Sequence, residues 1–236
     1  MEYRYGKMLP QARTAMPGWH RTAVWVVMAG LSAIVAAYAL SFLVRGAAAF
    51  PSSVRESFLA RPWGIYPHAT LGAIALLVGP LQFRRALWIH RRALHRRLGK
   101  VYVVCASATG MVGMYMAAFS FGGWITHVGF GLLGFLTLAS TLVAYARIRQ
   151  RRVAEHREAM IFSFSCIFAA VTLRVELPLL ILTFRGDFSP AYAIVSWLCW
   201  VPNLAWASWY VTRGRQHDDL PSLSSGRPSV ERASVT

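Results

Sequence analysis

Long apolar blocks separated by short basic clusters dominate this sequence, and they leave few folds open to it. A helix needs ~20 apolar residues, each rising ~1.5 Å, to cross ~30 Å of hydrocarbon. Six stretches meet or approach that length: 22–44, 67–83 with an extension toward residue 88, 98–121, 125–146, 159–184 and 190–211. A soluble domain would interleave its apolar residues with polar ones at helical or strand period. Here 56% of the 236 residues are hydrophobic and only 14% are charged, which does not suit a soluble domain. The first block is too long for the apolar core of a signal peptide, so it is expected to persist as a span. Trp63, Tyr66, Trp88, Trp124, Tyr192, Trp209 and Tyr210 stand near block ends, as an aromatic belt requires. The fold class expected is all-α, a polytopic membrane bundle of about six transmembrane helices.

Charge orients the bundle. With the amino terminus inside, the inner segments are 1–21, 84–100, 147–158 and 213–236. They carry four, seven, five and four basic residues, 20 of the 25 Lys and Arg. Arg45, Arg55, Arg61 and Arg185 fall outside, and Arg174 lies within a span. This is the positive-inside pattern, with both termini on the cytoplasmic side of the cytoplasmic (inner) membrane. The net charge of +16 is thereby a topology signal, with anionic lipid as its partner and no role for nucleic acid. The domain plan is a cytoplasmic segment 1–21, a membrane domain 22–212 and a disordered tail 213–236 rich in Ser, Pro and charge. The segment 84–100 is expected to form a short helix along the inner interface. Cys105, Cys166 and Cys199 sit inside apolar blocks without metal-type spacing and are expected to pack in the core.

Four histidines then sort by side. His68 and His127 begin the second and fourth blocks at the outer face, and His95 and His156 mark the third and fifth at the inner face. Two neutral imidazoles from different helices, with an apolar bundle between them, are what bis-histidine ligation of haem b requires. His68, His95 and His127 are each followed four residues later by glycine (Gly72, Gly99, Gly131), on the same helix face. A glycine there could clear space for a flat ring. It serves helix packing equally well, and interfacial histidines need no ligand at all. Met160 takes the glycine position after His156, and His95 and His156 stand at the very edge of their blocks.

Charge inside a span is costly and usually functional. Arg174 and Glu176, two residues apart, point to different faces, while His156, Ser163 and Arg174 share one. Arg174 could neutralise a haem propionate in the outer half, or bond backbone carbonyls near Pro178. The inner clusters Arg91, Arg92, Arg96, Arg97, Lys100 and Arg151, Arg152, Arg157 could hold propionates or an anionic reductant, although topology alone accounts for them.

The runs PHATLGAIALLVGPLQF, LHRRLGKVYVV and EHREAMIFSFSCIFAAVTLRVELP resemble a widespread bacterial family of predicted membrane proteins that carries a domain of unknown function. That likeness covers about residues 62–180 and implies no activity. Helix number, alternating histidines and the His-x-x-x-Gly of LHRRLG and HVGFG are also similar to the six-helix, di-haem transmembrane cytochrome b family that uses ascorbate. That resemblance implies His68 and His127 as ligands of an outer haem, His95 and His156 as ligands of an inner one, and electron transfer between a small donor and acceptor. The function expected is therefore haem b-dependent electron transfer, with one or two haems. The alternative is a non-redox membrane protein, a small-solute carrier or assembly subunit, with its polar centre at Arg174 and Glu176. Nothing resembles a nucleophile with a base partner.

Overall fold

The computed structural model describes residues 18–218, and these are helical almost throughout, with no strand among them. Helix α1 spans Gly18–Arg45. Two short 3-10 turns and α2 (Arg55–Leu59) follow, then α3 (Pro62–Gln82), α4 (Arg85–His90), α5 (Arg92–Ala117), α6 (Trp124–Arg149), α7 (Val153–Thr183), α8 (Phe188–Leu198) and α9 (Val201–Asp218). Five of these, in α1, α3, α5, α6 and α7, are long and apolar enough to cross a membrane. Val24, Val27, Ile34 and Val44 stand exposed on α1, the surface that lipid covers. Its inward face is small, with Ser32, Ala36 and Ala39 buried, as close helix packing in lipid demands. The expected polytopic all-α bundle is present.

The sixth expected crossing, 190–211, is not a continuous helix and is not among the five long and apolar enough to cross. It breaks at Cys199–Trp200 into α8 and α9. Pro202 explains the break, because it offers no N–H to the carbonyl of Leu198 and restricts the residue before it. Side chains take up nearby carbonyls: Trp200 Nε1 donates to Ser196 O at 2.8 Å and Asn203 Nδ2 to Cys199 O at 3.0 Å. Asn203 also donates to Thr172 Oγ1 on α7 at 2.9 Å, locking the break to its neighbour. Helix α9 then runs down α7 to the basic side, where Arg215 pairs with Glu158 near the start of α7. Residues 213–218, expected to belong to a disordered tail, are helical, because α9 continues to Asp218; residues 219–236 and 1–17 lie outside the described residues. Helices also start earlier than the apolar blocks do. α5 begins at Arg92 and α7 at Val153, so His95 and His156 each fall in a first helical turn and not before it. Within 84–100 the short basic-side helix is α4, as expected.

Neighbours in the bundle run α1–α3–α5–α6–α7, with α7 touching α1 and α3 more lightly and α8 and α9 covering its far side. In this ring α3 stands diagonally across from α6, and α5 from α7. The α5–α6 contact is the tightest. A Cβ on Gly110 would lie 2.7 Å from the Gly134 carbonyl oxygen, and one on Gly134 would lie 2.8 Å from that of Gly110. Backbone meets backbone there, so neither position tolerates a side chain. Gly110→Ala is expected to cost about 1–3 kcal/mol of stability by overpacking. Gly30→Ala, which meets nothing within 4 Å, should be neutral or slightly stabilising. Denaturation of the two variants in detergent, against the parent, checks both.

Candidate functional site

Polar groups inside the bundle lie at three levels. At the basic mouth, His95 of α5 and His156 of α7 come within electrostatic range of each other across the diagonal. His156 Nδ1 contacts the Ala144 carbonyl at 2.8 Å. A carbonyl only accepts, so Nδ1 carries the proton and Nε2 keeps a free lone pair. His95 Nδ1 is buried with no partner, and so is Gln82 Nε2 at the end of α3. Gly99, one turn after His95, lies beside Gln82: a Cβ there would meet only Gln82 Oε1, at 3.5 Å. Basic side chains ring this mouth, and its acids are engaged, Glu155 with Arg147 at 3.1 Å and Arg152 at 3.7 Å, and Glu158 with Arg215. Met160, which stands where a glycine follows the other three histidines, is buried in the core.

Two turns deeper, Tyr102, fully buried, contacts Ser163 Oγ at 2.9 Å, and Ser163 contacts Thr141 Oγ1 at 2.7 Å. Thr141 donates in turn to the Thr137 carbonyl at 2.6 Å. Ser163 was legible from the face it shares with His156. Tyr102, Thr141 and Gln82 escaped the sequence reading, although Tyr102 and Thr109 follow His95 at intervals of seven, a spacing that keeps one helix face.

In the outer half the histidines separate. His68 Nδ1 donates to the Thr109 carbonyl at 3.2 Å, and the ring lies against Gly113 of α5, where a Cβ would stand 3.2 Å from its Cε1. His127 uses Nε2 to hold the Ser120 carbonyl at 2.9 Å, beside Thr126, which bonds the carbonyls of Phe121 and Gly123. It clasps the α5–α6 turn. The structure thus assigns His68 and His127 to different neighbours. The glycines after His68 and His127 are also occupied contacts: a Cβ on Gly72 would meet Thr109 at 3.5 Å and one on Gly131 would meet Ala117 at 3.9 Å. Arg174 Nη1 donates to Ala170 O at 2.8 Å, and its guanidinium lies 5.4 Å from the Tyr38 ring centroid. Glu176 turns toward α8, within range of Cys199, with Oε2 buried and unpartnered. Arg174 and Glu176 do not form one polar centre. Cys105, Cys166 and Cys199 are buried free thiols, as expected.

A model of a predicted membrane protein domain, DUF2306, matches residues 65–211. The chain belongs to the DUF2306 family. No curated protein and no solved structure matches it, so the likeness to the di-haem cytochromes rests on helix number and histidine placement. For this DUF2306 protein, what is shown is a multi-pass membrane protein in contact with lipid. The matched region contains His68, His95, His127, His156 and Arg174.

Two apolar cavities, about 580 Å³ along Pro62–Leu71 of α3 and about 150 Å³ between α6, α7 and α9, have no histidine in their walls. Among the described residues no three His, Cys, Asp or Glu side chains gather to hold a bare metal ion. The hydroxyl chain gives the nearest test of the interior. Ser163→Ala should lower stability by about 0.6–1.7 kcal/mol, the range measured for hydrogen bonds between membrane helices. A double-mutant cycle with Tyr102→Phe should show coupling between the two positions.

Proposed function

We propose that this DUF2306 protein binds one b-type haem between His95 and His156 and passes electrons at the basic face of the membrane. The observation that carries this reading is the paired imidazoles with unspent nitrogens, one oriented by a backbone carbonyl and the other buried without a partner. Two histidines are too few for a bare metal ion, and a porphyrin supplies the four remaining ligands itself. When bound, haem supplies a one-electron couple.

The chain's own residues do the rest. The Ala144 carbonyl fixes the tautomer and angle of His156 and raises the basicity of its Nε2. Gly99 leaves the ring side of α5 open, and Gln82 Nε2 offers a donor beside it. Arg96, Arg97 and Lys100, exposed on α5, provide cationic partners for carboxylates and attract an anionic donor from solution. The ligand pair lies at the mouth, on first helical turns, and this supports a rim site in place of a sealed core.

The outer pair fits a haem poorly, because Nε2 of His127 is committed to Ser120 and His68 packs against Gly113. Arg174 does not serve the inner site either. It is 18 residues from His156, about 27 Å along α7 at 1.5 Å per residue. One haem is the reading carried forward.

Purified protein should give a dithionite-reduced minus oxidised spectrum with haem b bands, at about one haem per chain. His95→Ala and His156→Ala should each abolish it. His127→Ala should keep the spectrum and lower thermal stability by loosening the α5–α6 turn. Well-folded protein without haem, or a spectrum that survives both inner substitutions, would contradict the assignment.

A further inference from the structure

The outer half holds a cation that nothing yet described requires. Arg174 Nε is buried without a partner, and among the described residues no carboxylate pairs with the side chain. One carbonyl and the Tyr38 ring are its contacts. A guanidinium in hydrocarbon with so little compensation is costly. Beside it, within electrostatic range, stands His68, whose Nδ1–H is fixed on the Thr109 carbonyl so that Nε2 presents a lone pair. Thr109 Oγ1 is a further buried group without a partner. The three come from α7, α3 and α5.

These groups ask for a particular ligand. Arg174 wants an acceptor and His68 a donor, both from a molecule that reaches the outer half of the bundle. α7 touches α1 only lightly, and Tyr38, partly exposed, stands at that seam. A ligand dissolved in lipid can enter there. A fatty-acid carboxylate would satisfy Arg174 and give His68 nothing. A quinol ring satisfies both: the oxygen of one hydroxyl accepts from the guanidinium, the other hydroxyl donates to imidazole Nε2, and its face suits an aromatic neighbour.

We propose that Arg174, His68, Thr109 and Tyr38 form a binding site for the head group of a membrane quinone in its reduced, quinol form, entered from lipid along the α1–α7 seam. Binding stands without the haem; only the quinone's part as electron partner of the inner pair rests on the function proposed above.

The test uses the full chain in phosphatidylcholine nanodiscs, titrated with decylubiquinol kept reduced under argon and read by quenching of tryptophan fluorescence. Saturable binding is expected, weakened about 10–100-fold by Arg174→Gln, as loss of a charge-assisted hydrogen bond implies. Arg174→Lys, which keeps the charge, should fall between, and His68→Asn should also weaken binding. Glu176→Gln, on the other face, should leave it unchanged. Monodisperse elution of each variant separates lost binding from lost folding. Absence of saturable binding, equal affinity in Arg174→Gln, or binding of laurate in place of the quinone would overturn the proposal. Haem content measured on the same samples keeps the two readings apart: quinone binding without haem removes the haem alone, and haem without quinone binding removes the quinone site alone.

Discussion

A bilayer offers no water to a polar group, so every donor and acceptor in the spans must find its partner within the chain or in a ligand. That constraint organises this protein. It makes the backbone helical, it makes Trp200 and Asn203 cap the break that Pro202 opens, and it links Tyr102, Ser163 and Thr141 across three helices. Against so complete a pairing, the atoms left over carry information. His95 Nδ1 and Gln82 Nε2 cluster at the basic mouth, and Arg174 Nε and Thr109 Oγ1 lie deeper, toward the opposite face. These four unpaired groups lie at two levels of one bundle, with a satisfied hydroxyl chain between them; Ser32 Oγ, Ser107 Oγ and Glu176 Oε2 are also buried without a partner.

The same solvent explains what the sequence made legible. Apolar block length is a bulk property that the bilayer reads directly, and it gave the all-α polytopic bundle, with five of the six expected spans long and apolar enough to cross; the basic segment between two blocks gave the short helix Arg85–His90. Helix starts were read too late, because α5 and α7 extend past the hydrocarbon on polar residues that hydropathy assigns to loops. The break at Cys199–Trp200 hid inside an apolar run that contains its own cause, Pro202. A proline in a membrane helix can also be absorbed without a break, as Pro67 and Pro80 are in α3. Nothing local distinguishes the two outcomes.

The site was legible in pairs and illegible in contacts. Alternation of sides grouped His95 with His156, and these two come within electrostatic range of each other. It grouped His68 with His127 by the same logic, yet tertiary contacts spend the latter on the α5–α6 turn. The glycine spacing was ambiguous from the start. Gly131 packs against Ala117, while Gly99 and Gly72 lie next to Gln82 and Thr109, side chains that each carry an unpartnered polar atom. Identity of residue and spacing set which groups share a face; only packing decides what each one touches.

Two unpaired levels, both built from α3, α5 and α7, suit the proposal that the protein takes electrons at a basic surface and meets a lipid-soluble partner deeper in the membrane. The inner pair is the part on which this picture stands. Electron paramagnetic resonance of the oxidised, purified protein examines it directly. A single low-spin ferric haem with two imidazole ligands, lost in His95→Ala and in His156→Ala, is the predicted result. No haem signal, or a low-spin signal indifferent to both substitutions, would contradict it.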